Sequence, residues 1–243
     1  MIKEFYKTNL CWDEKISSII SKEHSNIDPH ILNRKPKLSF TEDGKIDIDI
    51  MYPPSLEIRT GDAPYYEYYQ CVKKVFDLSN VESFCDVGCS TGHLIDFIST
   101  YNSVDAAGIE YFKYQKEHAN TSVEDCINIL DIRDPLDIGM KFDIVNCTEV
   151  AEHVDPKYLH IFLDNLKKIT GKYLILSWSD SYPPVDAPPQ HVSPLPLSDV
   201  KLIMSSWGFE FEEEKTTLFN STSKGYNNYY SWWKDNITVW KVK

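Results

Sequence analysis

The sequence has no long apolar run. No segment approaches the roughly 18 consecutive apolar residues that a membrane-spanning helix needs. The first residues, "MIKEFYKTNLCWDEK", lack the apolar core of a signal peptide. We therefore expect a cytoplasmic protein without a membrane span. The chain also has no internal repeat and no low-complexity segment, which argues against a repeat architecture.

Basic residues are scarce relative to acidic ones. The chain has 25 Lys and Arg against 37 Asp and Glu, a formal net charge of -12 at pH 7. Proteins that hold nucleic acid through its phosphates usually present a basic face. Nucleic acid is therefore disfavoured as a partner, and a neutral or small molecule is favoured.

Paired cysteines are missing as well. None of the six cysteines belongs to a C-x-x-C pair. Cys85 and Cys147 lie inside apolar runs, where a reduced thiol behaves as a small hydrophobic side chain. We expect free thiols and no disulfides.

What the sequence does contain is the pattern of an α/β domain. From about residue 80, short apolar runs alternate with longer amphipathic ones, as in βα units around a mostly parallel sheet. The last two predicted strands follow one another without a helix pattern between them, so we expect a long hairpin and an antiparallel last strand. Residues 1–79 differ from the rest in their sequence pattern and are predicted to form an N-terminal extension packed on the core domain, residues 80–243. The seven predicted strands are residues 83–89, 106–111, 127–130, 142–150, 172–178, 209–219 and 236–243.

The stretch "CDVGCSTG" stands between the first predicted strand and the first helix. Gly88 and Gly92 would let the backbone approach a ligand closely, and Asp86 at the strand end can accept hydrogen bonds. A glycine turn alone is weak evidence. The acids after the next two strands strengthen the evidence for a ligand site. Glu110 can accept hydrogen bonds from both hydroxyls of a ribose, and Asp131 with Ile132 could line the edge of an adenine ring.

Together these features over residues 80–243 resemble the class I S-adenosylmethionine-dependent methyltransferases. The resemblance implies a seven-stranded, mostly parallel Rossmann-like sheet with an antiparallel last strand, and S-adenosyl-L-methionine as cofactor. Ser90 stands where the family motif commonly has its middle glycine. Arg59, or a tyrosine of "YYEYY", is assigned to the methionine carboxylate. The resemblance assigns the other cofactor contacts to Asp86, Gly88, Cys89, Gly92, Glu110, Asp131 and Ile132.

The loop after the fourth predicted strand, "NCTEVAEHVDP", carries Glu149, Glu152 and His153, and His191 follows the fifth strand. Ligands of open α/β sheets bind at the carboxyl ends of the strands, so these side chains are predicted to face the transferred methyl group. If residues 149–153 form a helical turn, Glu149, Glu152 and His153 share one face of it. Acids in a first helical turn can equally serve the helix dipole alone.

Two interpretations of these four residues stay open. Their donor set suits Mg²⁺ or Mn²⁺, and the E-x-x-E-H pattern resembles the metal site of small-RNA 3′-terminal 2′-O-methyltransferases. It also resembles ubiquinone-pathway O-methyltransferases, and many relatives carry an E-H pair that only shapes the pocket. Without a metal, His153, His191 or Glu152 would act in catalysis directly, an imidazole serving as general base.

The acceptor is predicted from the composition of one segment and from a weak sequence resemblance of another. The segment 177–209 resembles methyltransferases that are encoded among glycan and surface-polysaccharide genes. Five aromatic residues in "NSTSKGYNNYYSWWKDN" suit stacking on the faces of sugars. The predicted function is O-methylation of a sugar, glycan or other small hydroxyl compound. The alternatives are an RNA 3′-terminal 2′-O-methyltransferase and a methyltransferase-like binding protein that has lost catalysis. These five aromatic residues are Tyr226, Tyr229, Tyr230, Trp232 and Trp233.

Overall fold

The computed structural model describes residues 10–27, 38–47, 62–181, 191–226 and 236–243. Arg59 and the aromatic residues from 229 to 233 lie outside the described residues. All six cysteines are free. No helix of the described ranges is long and apolar enough to cross a bilayer.

A seven-stranded sheet forms the centre of the protein. Its strand order is β3-β2-β1-β4-β5-β7-β6, and β7 alone runs antiparallel to its neighbours. This confirms the predicted mostly parallel sheet with an antiparallel last strand. The strands are β1 (Ser83–Val87), β2 (Asp105–Glu110), β3 (Ile127–Ile129), β4 (Phe142–Cys147), β5 (Thr170–Ser177), β6 (Phe209–Phe211) and β7 (Ile237–Val242).

Helices cover both faces of the sheet because the central strands are apolar on both sides. The α-helices in the described ranges are α1 (Glu14–Ser17), α2 (Asp62–Val75), α3 (His93–Asn102), α4 (Lys113–Glu117), α5 (Leu159–Ile169), α6 (Leu197–Ser206) and α7 (Glu213–Ser223). Along β1, Phe84 packs in a core cluster with residues of α2, α3 and α7, whereas Cys85 packs in the cluster on the opposite face with α1, α5 and α6.

Helix α7 corrects the prediction of a long hairpin at the end of the chain. The predicted strand 209–219 is only three residues long, and α7 separates β6 from β7. Glu213 and Glu214 lie in its first turn, where carboxylates favour the helix dipole. Phe219 and Ser223, four residues apart, form its buried side. Phe209 and Phe211 alternate with Glu210 as expected for a strand, but this alternation ends with β6.

A buried arginine ties the N-terminal part of the chain to the sheet. Arg133 is 2% exposed, and its guanidinium donates to Asp131 (Nη2 to Oδ2, 3.0 Å), to Asp155 (Nη1 to Oδ2, 2.7 Å) and to the Ile46 carbonyl (2.8 Å). Asp155 in turn accepts from the Ile46 N–H at 2.9 Å. Lys45 adds an ion pair to Asp134 at 2.6 Å. Segment 38–47 is therefore held to the ends of β3 and β4.

Arg133→Met should destabilise the protein by about 3 to 5 kcal/mol, because it leaves the Asp155 carboxylate buried without its counter-charge. Urea unfolding would measure the change. Lys113→Ala is the matched control, since it removes an exposed ion pair with Glu117 and should change stability little. Equal, small effects of both substitutions would contradict this account of Arg133.

Candidate active site

The turn after β1 has the close backbone geometry that the sequence predicts. Gly88 and Gly92 have φ of +77° and +81°, and Ser90, at the place of the missing glycine, also has a positive φ of 52°. The Gly88 N–H donates to the Ile109 carbonyl at 2.8 Å, which anchors the turn on β2. The Thr91 hydroxyl is buried and has no hydrogen-bond partner among the described residues. The turn thus presents an unsatisfied polar group of the kind that a ligand satisfies.

Glu110 closes the other side of this turn. Its carboxylate accepts from the Ser90 N–H at 2.8 Å and from the Phe112 N–H at 2.9 Å. Burial raises the pKa of Glu110, and the two N–H groups oppose that rise. The Tyr111 N–H is a third backbone donor that lowers the pKa of this carboxylate. A carboxylate has about four lone-pair sites, so about one remains for a further donor.

Asp86 is buried at the end of β1, beside Asn146 of β4. The Asn146 amide donates to Asp86 Oδ1 at 2.7 Å, and the Tyr68 hydroxyl of α2 donates to Asn146 Oδ1 at 2.7 Å. Burial raises the pKa of Asp86 to about 7; the Asn146 hydrogen bond lowers it and the charge of Glu110 raises it. A cationic ligand would favour the ionised carboxylate.

Asp131 and Ile132 follow β3, as predicted, but Asp131 is engaged by protein groups. Both of its carboxylate oxygens accept from Arg133, and Lys45 Nζ lies 3.6 Å from Oδ2. Its side chain is 17% exposed. Any contact with an adenine amine would therefore use the lone pairs that Arg133 leaves.

Three of the four predicted polar residues after β4 and β5 come together. One ligand atom each from Glu152, His153 and His191 lies within 4.8 Å of the others. The rings of His153 and His191 meet edge to face, with centroids 4.9 Å apart. The described residues hold no other such group of histidine, cysteine and acidic side chains.

The backbone explains why His191 reaches this group from a distant part of the sequence. The N–H groups of Val192 and Ser193 donate to the Glu152 carbonyl at 2.8 and 3.0 Å. His191 Nδ1–H donates to the Ser181 carbonyl at 2.6 Å, and since a carbonyl only accepts, Nε2 is the nitrogen left to accept or to bind a metal. Burial lowers the pKa of His191, which favours the neutral ring.

Glu152 is fully buried at the centre of the group. Neither carboxylate oxygen has hydrogen-bond geometry with a described residue, although the Ser179 N–H and the Glu149 carboxyl lie near enough to influence it. Burial raises the pKa of Glu152, and the neighbouring charge of Glu149 adds to the rise. Such a carboxylate requires either a proton or a bound cation.

Glu149 lies outside the group of three. Glu149 follows the end of β4 by two residues and has a φ of +57°, and a 3₁₀ turn covers only Ala151–His153. The helical turn over 149–153 that would align all three side chains therefore does not form. The Ser177 hydroxyl donates to Glu149 Oε1 at 3.0 Å. Glu149 thus acts on Glu152 through its charge and through contact between the two carboxyl groups, and both raise the pKa of Glu152.

Sequence reasoning missed several residues of this region. Asn146 and Ser177 are polar side chains in otherwise apolar strands. Thr91 lies in the turn "CDVGCSTG", and Tyr68 was included only as one tyrosine of "YYEYY". None of these side chains has a spacing signal of its own. Asn146 had one detectable feature: an amide inside the otherwise apolar run "FDIVNC". A buried polar residue in a central strand needs a partner, which would have pointed to Asp86 on the neighbouring strand.

Gly88→Ala should destabilise the protein by more than Gly139→Ala. Both glycines have positive φ, so each alanine incurs backbone strain of about 1 kcal/mol or more. A Cβ at Gly88 would also overlap Val150 Cγ2, whereas nothing lies within 4 Å of one at Gly139. Overpacking should add about 1 to 3 kcal/mol, measured by urea unfolding. Val150→Ala in the Gly88→Ala background should recover the overpacking part; no recovery would show that Val150 is not the obstacle.

Comparison with known proteins agrees with the fold. The fold is shared with a magnesium protoporphyrin IX methyltransferase from Synechocystis with bound SAH, at a TM-score of 0.52 and 15% identity over 75% of this chain and 83% of that one. It is shared with an S-adenosylmethionine-dependent methyltransferase from Clostridium acetobutylicum, at a TM-score of 0.53 and 10% identity over 73% and 92% of the two chains.

A TehB-like methyltransferase from Corynebacterium glutamicum is a third such structure, at a TM-score of 0.52 and 12% identity over 73% and 88%. At these identities the likeness shows the fold. No curated protein sequence matches the chain. Residues 63–223 match the profile of the family described as "Methyltransferase domain", a match that begins inside the segment predicted as an N-terminal extension and takes in most of α2. The chain belongs to this methyltransferase family, as the sequence predicts.

Proposed function

We propose that this protein is an S-adenosyl-L-methionine-dependent O-methyltransferase whose acceptor is a hydroxyl of a sugar, glycan or other small molecule. The observation that carries the proposal is the group formed by Glu152, His153 and His191. It joins a buried carboxylate to two imidazoles at the sheet edge where the β1 turn also lies. Both ways of activating a hydroxyl, by a general base or by a metal ion, use side chains of this kind.

The β1 turn fits the cofactor. The cofactor would supply a methyl group on a positively charged sulfonium. Asp86 and Glu110 are buried carboxylates whose ionised forms a cation and ribose hydroxyls would stabilise, and the Thr91 hydroxyl still lacks a partner among the described residues. We assign Asp131 and Ile132 to the adenine side, with Gly88, Cys89 and Gly92 forming the wall of the turn. Arg59 remains a proposed contact of the methionine carboxylate.

Glu152, His153 and His191 also fit a divalent metal, which would lower the pKa of a bound acceptor hydroxyl and fix its direction. The Glu152 carboxylate supports this fit, because it has no hydrogen-bond partner among the described residues and a bound cation would remove the cost of burying it. Two imidazole nitrogens and one carboxylate favour Mn²⁺ over Mg²⁺, which prefers oxygen ligands. Glu149 would contribute negative charge from outside the group.

Without a metal, the same residues can serve as a proton relay. His153 or His191 would accept the proton of the hydroxyl as a neutral imidazole, and the lowered pKa of His191 keeps it neutral near pH 7. Glu152 would then hold a proton itself or stabilise the imidazolium. In either case the acceptor oxygen must be aligned with the departing sulfur, so much of the acceleration comes from positioning.

The nature of the acceptor decides between the proposed function and its alternatives. Radiolabelled cofactor would be incubated with monosaccharides, phenols and short RNAs, and the labelled product identified. Transfer to a sugar or phenol oxygen supports the proposal. Transfer to RNA would support the 3′-terminal alternative, which the net charge of -12 disfavours. Tight cofactor binding without transfer to any class would support the inactive binding protein.

Asp86→Ala and Glu110→Ala should each weaken binding of S-adenosylmethionine by roughly tenfold or more, since each removes a buried acceptor worth about 1 to 3 kcal/mol. Isothermal calorimetry would measure the affinities. Glu117→Ala removes a side chain that is 56% exposed on α4 and should leave them unchanged. Unchanged affinity in both test variants would remove the assignment of this turn to the cofactor.

Mn²⁺ should bind the unmodified protein, and Glu152→Gln should weaken that binding by at least about tenfold, because an amide cannot replace the charge of a ligating carboxylate. Calorimetry or the Mn²⁺ resonance spectrum would report it directly. Glu117→Gln is the matched control, because it removes an exposed carboxylate on α4 that is not part of the group, and it should leave the affinity unchanged. Absence of Mn²⁺ binding, together with full methyl transfer in EDTA, would reject the metal and leave the general base.

A further inference from the structure

A chain of two hydrogen bonds runs from helix α2 to the end of β1. Tyr68 of α2 donates its hydroxyl to Asn146 Oδ1 at 2.7 Å, and Asn146 Nδ2 donates to Asp86 Oδ1 at 2.7 Å. Asp86 and Asn146 are paired positions on adjacent parallel strands, so both side chains project to the face that α2 covers. All three side chains are buried.

The chemistry of the three groups fixes the direction of this chain. An ionised Asp86 can only accept, so the Asn146 side chain must turn its NH₂ group toward it. The Asn146 carbonyl oxygen then faces Tyr68, whose hydroxyl must donate. The second hydrogen of the NH₂ group lies toward the Thr148 hydroxyl, 3.2 Å away. Because the amide is held from both ends, one carboxylate oxygen of Asp86 is fixed in direction.

We propose that Tyr68 and Asn146 are positioning residues for cofactor binding: Tyr68 holds the amide of Asn146, and Asn146 orients Asp86 so that its second oxygen faces the ligand. The inference rests on the proposed function, in which Asp86 contacts the cofactor. It gives α2, which lies in the segment predicted as an extension, a direct connection to the cofactor site. The cofactor affinity of the protein then depends on the packing of α2.

The charges around Asp86 make pH a second readout of this arrangement. The titratable groups coupled to it among the described residues are Tyr68 on α2, Cys85 and Cys89 beside it, Glu110 on β2 and Cys147 on β4. Burial raises the pKa of the phenol and of the thiols, so these groups stay neutral near pH 7. The Asn146 N–H lowers the pKa of Asp86 and thus favours its charged form.

The test is a double-substitution cycle with S-adenosylhomocysteine as the probe, measured by calorimetry. Tyr68→Phe keeps the buried ring and removes only the hydroxyl, and it should raise the Kd by about three- to tenfold. In the Asp86→Ala background the same substitution should change the Kd by less than about twofold, because its effect passes through Asp86. In Asn146→Ala, the loss of affinity with falling pH should begin at a higher pH than in the unmodified protein.

Tyr69→Phe is the matched control, since the Tyr69 hydroxyl on the same helix contacts Asn102 and not the Asp86 chain. It should leave the Kd unchanged. Equal weakening by Tyr68→Phe with and without Asp86 would overturn the positioning role and leave the proposed function standing. An unchanged Kd in Asp86→Ala alone would overturn the role of Asp86 in the proposed function and, with it, this inference.

Discussion

A guanidinium that is 2% exposed persists in a protein interior only where its neighbours accept hydrogen bonds. Arg133 meets that condition by drawing together three parts of the chain: Asp131 after β3, Asp155 two residues beyond His153, and the backbone at Ile46. Apolar residues often replace such a network without loss of stability, so its structural value lies in what it joins. It holds the segment after β3 and the loop of Glu152 and His153 in one fixed relation.

The carboxyl ends of parallel strands meet at one edge of a sheet, and this constraint made much of the site predictable. Asp86 and Glu110 were predicted as cofactor contacts because they stand at the ends of strands, and both are buried there beside the β1 turn. Gly88 has the positive φ that a tight strand-to-helix turn needs. The contact of these residues with a cofactor stays a prediction. The same constraint brings His191 to His153 although they are distant in sequence. These predictions used only strand order and local turn geometry.

What the sequence could not predict depends on tertiary contacts. Helix α7 is mostly polar, and its helical state follows from burying Phe219 against Tyr68 of α2, ring centroids 5.2 Å apart. The exclusion of Glu149 follows from a positive φ at that residue, which an E-x-x-E-H spacing does not reveal. Tyr68 was visible only as one tyrosine among several in "YYEYY", and its hydrogen-bond partner Asn146 lies on a strand 78 positions away in sequence.

Buried negative charge is compensated differently at three positions of the site, and the difference affects their chemistry. At Asp131 and Asp155, Arg133 supplies the counter-charge and the acids are structurally committed. At Asp86 one amide donor offsets part of the burial, so a cationic ligand can supply the rest. At Glu152 no described residue donates a hydrogen bond, and Glu149 adds further negative charge. The electrostatic demand for a cation or a proton therefore rises from Asp131 and Asp155 through Asp86 to Glu152. In the proposed function, Glu152 lies on the side where a hydroxyl would lose its proton during methyl transfer.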